Sequence, residues 1–174
     1  MTLPRLLLFA SCVALLSACT TQRKPPPIVT PRPAPPPVAV APPPPADWRD
    51  APITQGTWSY GATVAGAQAA FSPGVGEPLL ALSCRRGAGQ IALSRAGAAT
   101  GNVPMTVTTT TLVRAFTAAP DPATQRLTVA LPARDPLFDA LAFSRGRFMV
   151  EVPGLPTLYL PAWPEVGRVI EDCR

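Results

Sequence analysis

The residues from Asp47 to Arg174 predict a mainly β fold, an antiparallel β-sandwich or partly open barrel of about seven or eight strands. A short helix is expected near 136–144 and a C-terminal helix near 162–173. Three observations carry this reading. Short runs alternate apolar with small or polar residues at a period of two. Glycine and proline turn signals separate them. Only two stretches change to helical spacing.

The first strand expected is Gly56–Thr63, with Trp58 and Tyr60 on one face, followed by Ala67–Ser72. In Pro78–Arg85, Leu80, Leu82 and Cys84 alternate with smaller residues; Arg86-Gly87-Ala88-Gly89 then supplies a turn. Gln90–Arg95 returns with Ile91 and Leu93 inward. Pro104–Phe116 reads as one long, half-exposed strand, because Met105, Val107, Thr109, Thr111 and Val113 alternate against Thr106, Thr108, Thr110 and Leu112. Gln125–Leu131, Gly146–Val152 and Thr157–Leu160 complete the set.

Asp135-Pro136 is a helix start, with a carboxylate cap and proline at the first helical position. Leu137, Phe138 and Leu141 give that helix an apolar face, and Gly146 is expected to close it. In the terminal helix Trp163, Val166, Ile170 and Cys173 form one inward stripe, with Glu165, Arg168 and Asp172 opposite.

Ahead of this domain lie two segments of different composition. At the start, Arg5 precedes an apolar run from Leu6 to Ala18 that ends in small residues, the three-part pattern of a secretory signal. As a helix that run would span roughly 20 Å, short of a hydrocarbon core of about 30 Å. Residues 19–46 show no apolar periodicity, and the stretch from Arg23 to Ala46 holds 12 of the chain's 25 prolines. Such density favours extended polyproline II, so residues 19–46 are expected to be a disordered tether reaching roughly 80 Å at about 3.1 Å per residue. Pro33 and Pro36 also give the Pro-x-x-Pro spacing of a ligand for proline-recognising domains, a spacing that any such run contains.

Charge excludes one large class of partner. Arg5, Arg23, Lys24 and Arg32 precede Asp47, so 11 of the 15 basic groups face all 10 acidic groups in the domain. A nearly neutral domain is not built for nucleic acid. The chain has no histidine, which removes serine and cysteine triads and most zinc sites. The single lysine, Lys24, lies in the tether, so no Ser/Lys pair is available to the domain. Neither a phosphate-binding glycine loop nor a metal-ligand spacing is present, and no cofactor is expected. Asp135 and Asp139, four apart, are the remaining carboxylate pair; a helix cap and a surface charge account for them, and no enzyme is expected.

The candidate contact residues are Ser144, Arg145 and Arg147, in Phe143-Ser144-Arg145-Gly146-Arg147-Phe148. Two guanidiniums and a hydroxyl beside a glycine suit a carboxylate or phosphate, from peptidoglycan, lipopolysaccharide or an acidic protein loop. The same residues also read as a helix C-terminus with dipole-matching arginines. Trp48, Trp58 and Tyr60 are expected to lie exposed beside them.

Leu16-Ser17-Ala18-Cys19 resembles the lipobox of bacterial lipoprotein precursors. That resemblance implies cleavage after Ala18, a signal peptide over 1–18, lipidation of Cys19 and a membrane anchor of two or three acyl chains. Thr20, where an aspartate would favour the inner membrane, points to the outer membrane with the domain in the periplasm. With Cys12 removed and Cys19 lipidated, Cys84 and Cys173 remain as a pair in an oxidising compartment, both at inward positions, and a disulfide between them is expected.

The segment from Phe143 through Pro161-Ala162-Trp163-Pro164-Glu165 to Ile170-Glu171-Asp172-Cys173 is similar to small uncharacterised bacterial proteins with a strand cysteine and a terminal-helix cysteine. The general layout and the paired cysteines also resemble the invasion-associated locus B proteins, secreted β-rich domains. These resemblances imply no catalytic residues. The function expected is a non-enzymatic interaction or scaffold module that meets a cell-envelope protein or peptidoglycan. The alternative is a small ligand-binding protein or inhibitor, similar to periplasmic lysozyme inhibitors in being a lipidated β domain with a disulfide.

Overall fold

The structure is a computed structural model and describes residues 47–174; the leader, Cys19 and the proline-rich stretch lie outside the described residues. The order of elements is β1 (Thr57–Thr63), β2 (Gly66–Ser72), β3 (Leu80–Arg85), β4 (Gln90–Ala96), β5 (Val103–Thr108), β6 (Val113–Asp121), β7 (Arg126–Pro132), α1 (Pro136–Ala142), β8 (Arg147–Glu151), β9 (Leu158–Pro161) and α2 (Pro164–Asp172). The fold is mainly β, as the alternation requires. All nine strands join one antiparallel sheet in the order β1-β2-β3-β4-β7-β6-β5-β8-β9.

The sheet curls until its two ends meet. Trp58 of β1 lies 6.3 Å, ring to ring, from Phe148 of β8, although six strands separate them in the sheet order. The Trp58 indole N–H donates to the Pro161 carbonyl of β9 at 2.8 Å. Just before β1, the Thr54 N–H donates to the Tyr159 carbonyl at 2.9 Å, and the Tyr159 N–H returns a bond to Thr54 Oγ1. β1 and β9 do not pair with each other, so this is a partly open barrel rather than a two-sheet sandwich. Inward residues of every strand, among them Phe71, Leu82, Ile91, Met105, Ala118, Leu127, Val150 and Leu160, share one core.

The sequence expectation of seven or eight strands is corrected to nine at one place. Pro104–Phe116 is two strands, β5 and β6, joined by a tight turn through Thr109–Leu112. The cause is Thr109. Its side chain is buried, and its hydroxyl accepts from the N–H groups of Thr111 and Leu112 while donating to the Leu112 carbonyl. A threonine that satisfies three local backbone groups gives the chain an alternative to the ladder.

Helix α1 starts as its residues dictate: the Asp135 carboxylate accepts from the Leu137 N–H at 2.9 Å, and Pro136 needs no partner for a missing N–H. Leu137, Phe138 and Leu141 are fully buried. The helix stops at Ala142 with Phe143 as its C-cap; Gly146, at φ 77°, turns the chain into β8 instead of closing the helix. Helix α2 packs on β1, β2, β3 and α1. Its buried stripe is Val166, Val169, Ile170 and Cys173. Trp163 falls outside that stripe because it is the N-cap, in extended backbone, and 43% of its surface remains exposed.

Cys84 and Cys173 meet with Cα atoms 5.4 Å apart, a disulfide-capable pair that joins β3 to the end of α2.

The alternation Ile91, Leu93, Arg95 points a guanidinium to the core face. Arg95 is buried and donates to the carbonyls of Ala96 at 2.7 Å and Pro156 at 3.1 Å. Burial, and secondarily the charge of Arg126, lower its pKa from the ordinary arginine value.

Candidate interaction surface

The three residues singled out as an anion or partner contact are distributed among different tasks. Ser144 is buried. Its hydroxyl donates to the Arg147 carbonyl at 2.5 Å and accepts from the Thr110 N–H at 3.2 Å, which pins the β5–β6 turn to the loop after α1. Arg147 turns the other way, its guanidinium donating to the Ala51 carbonyl at 2.5 Å. Arg145 alone stays exposed, its backbone N–H on Thr110 Oγ1 and its side chain at a hollow shared with Arg49, Thr110 and Thr111. Arg49 pairs with Asp47 at 3.0 Å and lies against the Trp48 ring.

The expected exposed aromatics are corrected at Trp58, which is 6% exposed because its ring seals the barrel seam. Tyr60 and Trp48 are half-buried. The Tyr60 ring has the Arg168 guanidinium above it at 4.1 Å, and its hydroxyl donates to Asp172. The bond to Asp172, with some burial, raises the Tyr60 pKa.

The carboxylates at 135 and 139 do not form a pair. Asp135 caps α1 and holds Arg114 at 2.8 Å, and Asp139 holds Arg174 at 2.8 Å. Among the described residues no group of three or more His, Cys, Asp or Glu is placed to hold a metal ion. Among them, too, no helix is long and apolar enough to cross a membrane.

The surface most unlike an ordinary solvated one surrounds Phe143. This C-cap residue of α1 leaves 79% of its surface exposed. Its backbone is fixed on both sides, by its own N–H to the Asp139 carbonyl and by buried Ser144 next in the chain. Phe143 forms a ridge between two hollows. One, of about 510 Å³, runs between the helices over Ala142, Gly167 and Ile170, and carries Asp139, Arg168, Glu171 and Arg174 at its rim. The other is lined by Leu112, Pro136 and Ala140. Gly167 lies opposite Ala142 and carries no side chain to fill the space between the helices. Trp163 lies one residue before Pro164, which lines the larger groove.

Sequence reading missed this surface. In the sequence Phe143 is only the apolar residue that opens the Phe143–Phe148 segment, beside the polar Ser144, Arg145 and Arg147. The available signal was its position one turn past Asp139 rather than on the Leu137–Phe138–Leu141 face.

Comparisons with protein-family models, with curated proteins and with solved structures return no match.

Proposed function

We propose that this chain is a lipid-anchored lipoprotein of the bacterial cell envelope, non-enzymatic, whose domain acts as an interaction module. Support for the anchor is the lipobox-like Leu16-Ser17-Ala18-Cys19 behind an apolar leader. The proline-rich segment serves as a spacer between membrane and domain, with the domain in the periplasm and the anchor in the outer membrane.

The observation that carries the interaction reading is Phe143. A large aromatic held outside the core, on a fixed backbone and beside an apolar groove with a charged rim, has the anatomy of an interface hot spot. Its exposure serves no packing purpose within the domain.

The test is a photoreactive residue placed at 143 in the full chain, expressed in its native host. A crosslinked product at 143, absent when the same residue is placed at the still more exposed Val75, is the expected result. Absence of any product at 143 overturns the reading. Intact-mass analysis of the same material tests the anchor: the expected species begins at Cys19 and carries acyl chains.

A further inference from the structure

We infer that the groove between α1 and α2 receives Phe143 of a second copy of this chain, the two copies related by a twofold axis so that each phenyl ring enters the other's groove. This inference rests on the interaction reading above and names its partner.

An isologous contact requires one patch to be complementary to itself. Here knob and hollow lie side by side: the exposed Phe143 ring forms one wall of the groove whose floor is Ala142, Gly167 and Ile170. Rotating a second copy by half a turn sets its ring over the first copy's floor and the first ring over the second's. The floor suits a flat ring. At Gly167 a Cβ would find only the Ala142 Cβ, at 4.0 Å, so the helix surface there is low and open.

The rim points to the same partner. Asp139 and Arg174 already close an ion pair with each other at 2.8 Å, and Glu171 and Arg168 add one further charge of each sign. A strongly acidic or strongly basic partner would gain no net attraction from so balanced a rim. A copy of the same rim, inverted by the twofold, presents the same balanced mixture and allows acids to face bases. Exposed aromatics with arginine at the edge are also the residue types that dominate interface energetics.

The experiment is sedimentation of the purified full-length chain over a range of concentrations in density-matched detergent. The wild type is expected to show a monomer–dimer equilibrium, and Phe143→Ser to weaken it at least tenfold. Because Phe143 is outside the core, its variant should melt with the wild type, which separates lost association from lost folding. Gly167→Leu, filling the hollow from the other side, should weaken the dimer as well. A wild type that stays monomeric, or a dimer indifferent to Phe143→Ser, overturns the inference. In-cell crosslinking from position 143 separates the two readings. A product containing only another protein keeps the interaction module and overturns self-association, whereas no product at all removes both.

Discussion

Cys84 at the end of β3 and Cys173 just beyond α2 lie 5.4 Å apart at Cα, although 89 residues separate them in sequence. Both are buried, and the Cys173 sulfur also lies 3.3 Å from the Gln90 carbonyl of the neighbouring strand. The pair therefore fixes the last element of the chain, the helix that carries Val166, Val169 and Ile170 into the core. Material exported from the cytosol should resist thiol alkylation until it is reduced. A loop of this length gives roughly 4 to 5 kcal/mol from chain entropy as an upper guide. Denaturant titration should show the wild type losing up to that amount on reduction, and Cys84→Ser with Cys173→Ser should be insensitive to reductant. Equal stability with and without reductant would mean that the two thiols are not joined.

Gly66 opens β2 at φ +152°, and a Cβ there would lie 2.9 Å from the Cys84 sulfur and 3.0 Å from the Cys84 carbonyl oxygen. Both the backbone angle and the space exclude a side chain. Gly66→Ala should destabilise the domain by about 1 to 3 kcal/mol. Gly61, in the same hairpin opposite Gln68, has nothing within 4 Å of its own Cβ position. Gly61→Ala should stay within about 0.5 kcal/mol of wild type. Thermal melts of the two variants side by side check the contrast.

Arg95 has a buried guanidinium whose hydrogen-bond partners are backbone carbonyls rather than a carboxylate. Arg95→Ala would strand the Ala96 and Pro156 carbonyls and open a void, at a cost of roughly 2 to 4 kcal/mol. Arg95→Met fills the space and removes the desolvated charge, so it should cost clearly less. Arg95→Lys should be worse than Met, because one ammonium cannot span carbonyls on two separate segments as the planar fork does. Chemical denaturation of the three variants gives the ranking, and Lys matching wild type would contradict it.

Much of the barrel is legible from period-two alternation, since Leu80, Leu82 and Cys84 of β3 and Ile91 and Leu93 of β4 all face inward. The start of α1 is equally plain, because a cap and a proline act on neighbouring backbone. Where reading failed, the deciding contact was tertiary or used an unpunctuated turn. Thr108–Thr111 has high strand propensity and no glycine or proline, yet Thr109 closes a hairpin through its own hydroxyl. Trp58 sits in an edge strand that would ordinarily be wet, and only the arrival of β8 and β9 across the seam covers it. Trp163 has the spacing of a core residue but occupies a cap. The surface at Phe143 was invisible for a related reason: its groove exists because Gly167, 24 positions later in the chain, comes to lie beside Ala142.

Tyr60 provides a test of α2 docking by pH. Its hydroxyl donates to Asp172, and that bond, with lesser contributions from burial and from the Asp172 charge, raises its pKa above the ordinary 10.0; Arg168 over the ring works in the opposite direction. A group whose folded pKa lies above its unfolded value contributes stability that is complete below the unfolded pKa and disappears as pH climbs through the folded one. The stability difference between wild type and Tyr60→Phe should therefore be flat from neutral pH to about pH 10 and shrink above it. Asp172→Asn keeps a hydrogen-bond acceptor but removes the carboxylate charge, so the alkaline loss should begin at the same pH, set by the unfolded chain, but be smaller and end at lower pH. Denaturant titrations at a series of alkaline pH values, on wild type and both variants, measure this directly. A difference that widens with rising pH would mean that the phenolate is the favoured form, and that Arg168 rather than Asp172 governs the contact between β1 and the terminal helix.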